Sequence, residues 1–155
     1  MLHEGETFTR ELKSSLRWDY KLNKVNKELE YPILKTLTAF MNTDGGILFV
    51  GVDKDGKILG IEKDYESLGD KNWDGWSQAF TNTVNNRIGK EFHKYVKPEP
   101  ISVDGKIIVK IEVRKSPKEA YIDPDKDAQF HIRAGTTTQQ LNPKQTAAYV
   151  KDHFN

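Results

Sequence analysis

Apolar residues recur at Ile33, Leu34, Leu37, Phe40 and Met41, the spacing of one helix face, and Pro32 suits a first helical position. This predicts a helix that ends near Asn42 to Gly45. From Ile47 to Asp53 the period changes to a run apolar on both faces, as in a strand central in its sheet. "DKDGK" then supplies a turn, and "ILGIE" is expected to pair back as a hairpin. Trp76, Phe80, Val84 and Ile88 step by four, with Ala79 alongside, and give a second amphipathic helix ending near Gly89.

Upstream, "TRELKSSL" around Glu11 reads as a short strand, and the polar stretch Arg17 to Glu30 as a loop. Downstream, "YVKPEPISV", "DGK" and "IIVKIEVRKS" form a hairpin in which Ile107, Val109, Ile111 and Val113 alternate with Ile108, Lys110, Glu112 and Arg114. "EAYID" and "QFHIRAG" are expected to be two more short strands. Asn142 caps a last helix with Pro143 in its first turn, running to His153. No internal repeat, low-complexity tract or linker interrupts the order. The reading is one α+β domain over residues 1–155: a mixed β-sheet with hairpins, packed against about three helices.

Composition supports a globular chain. Its 155 residues suffice for one domain with a real core, and 30% are charged and 36% hydrophobic. The 24 Lys+Arg against 23 Asp+Glu give no global basic field, so any electrostatic footprint for a polyanion is local. The lack of cysteine excludes disulfides, thiolate zinc sites and thiol nucleophiles. No apolar run reaches bilayer length and the N-terminus has no apolar signal region, so a cytoplasmic protein without a membrane partner is expected.

The sharpest local feature is Gly45-Gly46 between the first helix and the strand. A Walker-type phosphate loop needs a longer glycine-spaced loop ending in Lys then Ser or Thr, followed by a helix N-terminus. Here the glycines follow a helix C-terminus, whose partial charge repels phosphate. One glycine is expected to close the helix in the left-handed conformation and its neighbour to allow tight passage into the sheet. No ATP is expected.

Three segments, Glu11-Leu12-Lys13, "AFMNTDGG" over Ala39 to Gly46, and "FHIRAGTT" over Phe130 to Thr137, together resemble the signature of the Schlafen AlbA-like family, in the right order across Glu6 to Val150. The resemblance implies that family's fold and nucleic-acid binding, DNA or RNA, with no cofactor required. Many bacterial and archaeal relatives are N-terminal parts of proteins described as transcriptional regulators. Animal members resemble two such lobes forming a clamp that cleaves structured RNA with three carboxylates, which implies a possible metal-dependent nuclease using Mg²⁺ or Mn²⁺. It also suggests a homodimer for a chain with one lobe.

Glu6 and Glu11 occupy the first two acidic places of those nucleases. The third falls on Lys54, flanked by Asp53 and Asp55, and local bulging at the turn would be needed for Asp53 to serve. Hard divalent cations prefer such clustered carboxylates, and Glu6, Glu11 and Asp53 are the candidate catalytic and metal-binding set. The alternative is that the two glutamates are ordinary surface acids.

Two groups interleave basic and aromatic residues: Arg10, Lys13, Arg17, Lys21, Lys24 and Lys27 with Trp18 and Tyr20, and Lys90, His93, Lys94 and Lys97 with Phe92 and Tyr95. Such groups neutralise phosphates and stack bases, or simply solvate a surface. Arg133, with Thr136 and Thr137 in the turn after it, is a candidate phosphate contact; the other reading pairs it with a carboxylate such as Glu112. The histidines show no metal or dyad spacing. Nucleic-acid binding is the expected function, a nuclease the alternative, and an oligomerisation or protein-interaction module a third class.

Overall fold

In the computed structural model, which describes residues 5–154, the chain runs β1 (Arg10–Lys13), β2 (Trp18–Asp19), β3 (Lys24–Val25), α1 (Glu30–Met41), β4 (Gly46–Val50), α2 (Trp73–Arg87), β5 (Val96–Val103), β6 (Lys106–Val113), β7 (Phe130–Ala134), β8 (Thr137–Leu141) and α3 (Pro143–His153). A four-stranded sheet of order β1-β4-β6-β5 is mixed, with β1 parallel to β4 and the other pairs antiparallel. β4 is therefore interior, as its two-sided apolar pattern requires. The fold is a single α+β domain.

The main core joins Ile33, Leu34, Leu37, Phe40 and Met41 of α1 to Trp76, Phe80 and Val84 of α2 and to Leu48, Val50, Val109, Ile111 and Val113 of the sheet. A smaller cluster of Leu12, Phe49, Val52 and Ile108 includes the alternate residues of β1, β4 and β6, which point to the opposite face. α1 starts two residues before Pro32, because the preceding 3-10 turn at Lys27–Leu29 feeds directly into it. No helix among the described residues is long and apolar enough to cross a membrane.

Both glycines at the join have the expected tasks. Gly45 has φ +73° and its N–H donates to Phe40 O at 2.8 Å, closing α1. A Cβ on Gly46 would stand 2.7 Å from the Phe40 ring and 2.8 Å from Thr9 O, so the chain passes there only without a side chain.

Four local expectations are corrected. The stretch 17–30 is not one loop: it carries the small β2–β3 hairpin. "ILGIE" makes only a single bridge, Val52 to Ile58, because Gly60 turns at φ +81° and Ile61 is drawn into the main core. "EAYID" likewise forms one bridge, Ile122 to Gln129. The threonine-rich segment after Gly135 is not merely a turn; it continues as β8, which pairs with β7 in a separate two-stranded sheet.

The β7–β8 hairpin is fastened to the end of α1 by the "NT" of the glycine motif. Asn42, fully buried, donates through Nδ2 to Ala120 O and His131 O and accepts from Ala120 N. Thr43 Oγ1 accepts the Arg133 N–H at 3.0 Å. α3 opens with a capping box between Asn142 and Gln145, and its Tyr149 packs on Phe130 while donating to Asn42 O.

Candidate nucleic-acid interface

Glu11 and Lys13 point to one face of β1, and β7 brings Arg133 against them. The Arg133 side chain is fully buried, and its Nη1 lies 2.8 Å from Glu11 Oε1. Its other donors go to Phe8 O, Thr7 O, Thr136 O and Thr138 Oγ1. The carboxylate that pairs with Arg133 is Glu11 and not Glu112, which lies exposed on β6 and pairs with Lys110. A guanidinium so enclosed has no donor left for a phosphate. Arg133 instead fixes Glu11 and the Thr136 to Thr138 turn.

Glu6 lies beside Glu11, and the two carboxyl groups hydrogen-bond. Burial, then the hydrogen bond and the charge of Glu11, push Glu6 up to about 7. Burial also acts to raise Glu11, but the hydrogen bond from Glu6, Lys13 at 3.7 Å and Arg133 outweigh it and hold Glu11 below the usual carboxylate range. The pair thus shares one proton near neutral pH.

A cavity of about 650 Å³ opens over this pair, its wall including Glu6, Glu11, Lys13, Lys21, Lys35, Asp53, Lys54, Asp55 and, on the β7–β8 side, Thr136, Thr137 and Thr138. Asp53 lies just past the end of β4, where the N–H groups of Gly51 and Val52 both donate to Lys13 O, and it lines the cavity. Its Oδ1 then accepts from Asp55 N and Lys57 N, an Asx-type cap of the turn. Glu6, Glu11 and Asp53 share a cavity, yet among the described residues no three Asp, Glu, His or Cys are grouped so as to hold one metal ion. With Lys54 on the same wall, these residues do not fit a three-carboxylate centre.

The basic candidates divide. Lys13 and Lys21 line the cavity with Thr136 and Thr137, and Lys35 and Lys54 join them. Arg17 is turned inward to an ion pair with Glu30. Lys24 stands exposed on β3, outside the cavity wall. Lys90 and Lys94 belong to the turn before β5, and Lys97 to β5, the sheet edge opposite β1. Two strands separate them from the cavity, so the two basic groups are not one footprint. His131, buried behind α1, has no partner for Nδ1 and is held down at about 4 by burial and by Lys35; it is neutral at physiological pH. His3 lies outside the described residues.

The hairpin entering this face is fixed by a residue that no sequence pattern marks. Asp64, buried, accepts N–H bonds from Leu16, Arg17 and Trp18 at 2.8–2.9 Å and from the Trp76 indole at 3.1 Å. Only its surroundings reveal it, since Asp64 itself sits in a polar stretch with other acids.

A family model described as Schlafen, AlbA_2 matches residues 6–142. No curated protein matches the chain. Among solved structures the chain is similar to the crystal structure of the DIP2311 protein from Corynebacterium diphtheriae, with 18% identity and a TM-score of 0.62. That match covers 95% of this chain and 24% of the other, so the chain spans about a quarter of the length of this relative. At such identity the likeness speaks to the fold.

Proposed function

The chain belongs to the Schlafen AlbA_2 family, and from that premise we propose that it is a nucleic-acid-binding domain holding DNA or RNA mainly by the phosphate backbone. The observation that carries the reading is the cavity where Lys13, Lys21, Lys35 and Lys54 stand with Thr136, Thr137 and Thr138. Its formal charges are four lysines against Glu6, Glu11, Asp53 and Asp55. Below pH about 7 the proton on Glu6 removes one acid, and Arg133 offsets another. The cavity is then net positive, with the hydroxyl-bearing Thr136, Thr137 and Thr138 in the same wall as the lysines. Binding needs no cofactor, and weak sequence preference suits a regulatory role.

The test is a titration of labelled DNA and structured RNA, with and without Mn²⁺, read for both shift and cleavage. Affinity should fall steeply with salt, with a log-log slope of about 0.7–0.9 per phosphate contacted. Reversing Lys21 and Lys35 to glutamate should reduce affinity at least roughly tenfold at low salt. A tight complex indifferent to salt and to these reversals, or no complex, would overturn the reading.

The acid pair makes binding depend on pH. Below about 7 Glu6 carries its proton; above it a further negative charge enters the cavity. Phosphate affinity should therefore fall between pH 6 and 8, by roughly fivefold for one charge at a partly solvated distance. Glu6→Gln should flatten the profile at the acidic-side affinity. Stability has the same sign: from 4.5 to about 7 the folded chain keeps a proton that the unfolded chain has released, so stability declines as pH rises through that window. A profile equally steep in Glu6→Gln would remove Glu6 as its cause.

The alternative reading, a metal-dependent nuclease using Glu6, Glu11 and Asp53, is supported by the two glutamates at the family's spacing and opposed by the missing three-acid cluster. No catalytic step follows from the geometry. Cleavage in the Mn²⁺ arm that disappears in Glu6→Ala/Glu11→Ala would bring this reading forward. A homodimer would rebuild a two-lobed clamp, and the partly buried Ile47, Ile58, Ile101 and Val103 around the smaller cluster are the apolar surface it would use.

A further inference from the structure

All the exposed large hydrophobic residues among those described, Tyr20, Leu22 and Val25, belong to one short segment, the β2–β3 hairpin. Trp18, half-buried on β2, has the Lys63 ammonium 5.2 Å from its ring centre. Trp18, Tyr20, Leu29 and Pro32 wall a second cavity of about 510 Å³. This cavity shares Lys13, Ser14, Lys21 and Pro32 with the lysine cavity, so the two are neighbours. An apolar, aromatic compartment thus adjoins a cationic, hydroxyl-lined one, with Lys13 and Lys21 on their common border.

We propose that the second cavity is a nucleobase site, and that the chain takes a single-stranded or unpaired stretch of nucleic acid rather than an intact duplex. The proposal rests on the nucleic-acid reading above and names its substrate class. A phosphate held at Lys13 and Lys21 places its own nucleotide's base toward Trp18 and Tyr20. Flat rings and a proline offer stacking surface, which is available only to a base whose face is exposed. In a duplex those faces are covered by neighbouring bases. Lys13 and Lys21 in the wall, with Lys63 over the Trp18 ring, outnumber the single acid of the wall, Asp19, and match a partner that is aromatic and anionic at once. An uncharged apolar peptide would meet the aromatic wall but leave these cations unanswered.

The compartment is built before any ligand arrives. Asp64 clamps the N–H groups of Leu16, Arg17 and Trp18. Asp19 Oδ1 accepts from Lys21 N and Leu22 N, and its Oδ2 accepts from Asn26 Nδ2. The Asn26 N–H closes back on Arg17 O at 2.6 Å. A hairpin held in this way loses little further freedom on binding.

The experiment is a fluorescence-anisotropy titration of the full chain with a labelled 12-nucleotide oligouridine, a 12-nucleotide oligothymidine and a 12-base-pair duplex at one salt concentration. Wild type is compared with Tyr20→Ala, an exposed position where folding is not at stake, and with Trp18→Ala. The single strands should bind more tightly than the duplex, and each substitution should weaken single-strand binding by roughly 5- to 100-fold, the loss of one stacked base. Duplex affinity should not change. If wild type and Tyr20→Ala bind all three ligands alike, the base site is wrong and the phosphate reading stands. If nothing binds, both fall. If Tyr20→Ala instead changes the oligomeric state in light scattering and leaves single-strand affinity intact, the apolar hairpin belongs to a second copy of the chain and the proposal is overturned.

Discussion

Arg133→Ala should lower the stability of the domain by about 3–5 kcal/mol, the usual loss when one member of a buried ion pair is removed. At this chain length that corresponds to a fall of roughly 6–20 °C in melting temperature. The side chain has no solvent exposure and ties five acceptors: Glu11, Thr138, and the carbonyls of Thr7, Phe8 and Thr136. Its guanidinium also lies 5.0 Å over the Phe40 ring. Alanine leaves Glu11 buried with Lys13, at 3.7 Å, as its remaining cationic partner among the described residues. Lysine should recover little, because one ammonium cannot reproduce a planar fork that serves several acceptors. In a double-mutant cycle, Glu11→Ala/Arg133→Ala should be less destabilised than the sum of the single variants. Urea denaturation that gives a loss below about 1 kcal/mol for Arg133→Ala would show that the pair does not hold the hairpin to β1.

The helix stripes of α1 and α2 are local patterns that fall where their period puts them; the two-sided run of β4 is another, although the strand ends at Val50 and not at Asp53, because Gly51 turns at φ +98°. The tasks of Gly45 and Gly46 were also readable, because the order helix, glycines, strand excludes a phosphate loop. The β2–β3 hairpin was hidden because its strands are two residues each and carry no alternation. β8 was hidden because Thr137 to Gln140 are polar throughout, and only pairing with β7 makes them a strand.

The site was legible in part. The family's spacing pointed to Glu6 and Glu11, and both line the lysine cavity. The partner of Arg133 was not legible, since Glu11 lies 122 residues away and any acid at that distance is an equal candidate on sequence alone. Charge groups gave the same difficulty. Lys21 and Lys97 look alike in the chain, and only the strand order sends one to the cavity and the other to the far edge. Lys35 carries no such signal at all: it is one polar residue in a helix marked by its apolar stripe, and only the fold turns it to the cavity.

Asp64→Ala should be comparably damaging, at about 3–5 kcal/mol, although Asp64 touches no charged side chain in its hydrogen-bond set. Three successive backbone N–H groups and the Trp76 indole all donate to it. Each hydrogen bond to a charged acceptor contributes about 1.5–3 kcal/mol, and the donors left behind are enclosed. Water entering the space would satisfy some of them, which keeps the loss below the simple sum. Asparagine is the more informative replacement. It fits the space but offers a single acceptor oxygen and turns an NH₂ group toward the remaining donors, so two of the four bonds at most should survive. The domain should stay folded, with faster hydrogen exchange at Leu16, Arg17 and Trp18 than at the α1 amides. Because those residues lead into the β2–β3 hairpin, Asp64→Asn should also weaken single-strand binding while leaving duplex binding near wild type. Unchanged exchange at the three amides would mean that Asp64 does not set the hairpin, and the aromatic cavity would then owe its shape to Asp19 and Asn26 alone.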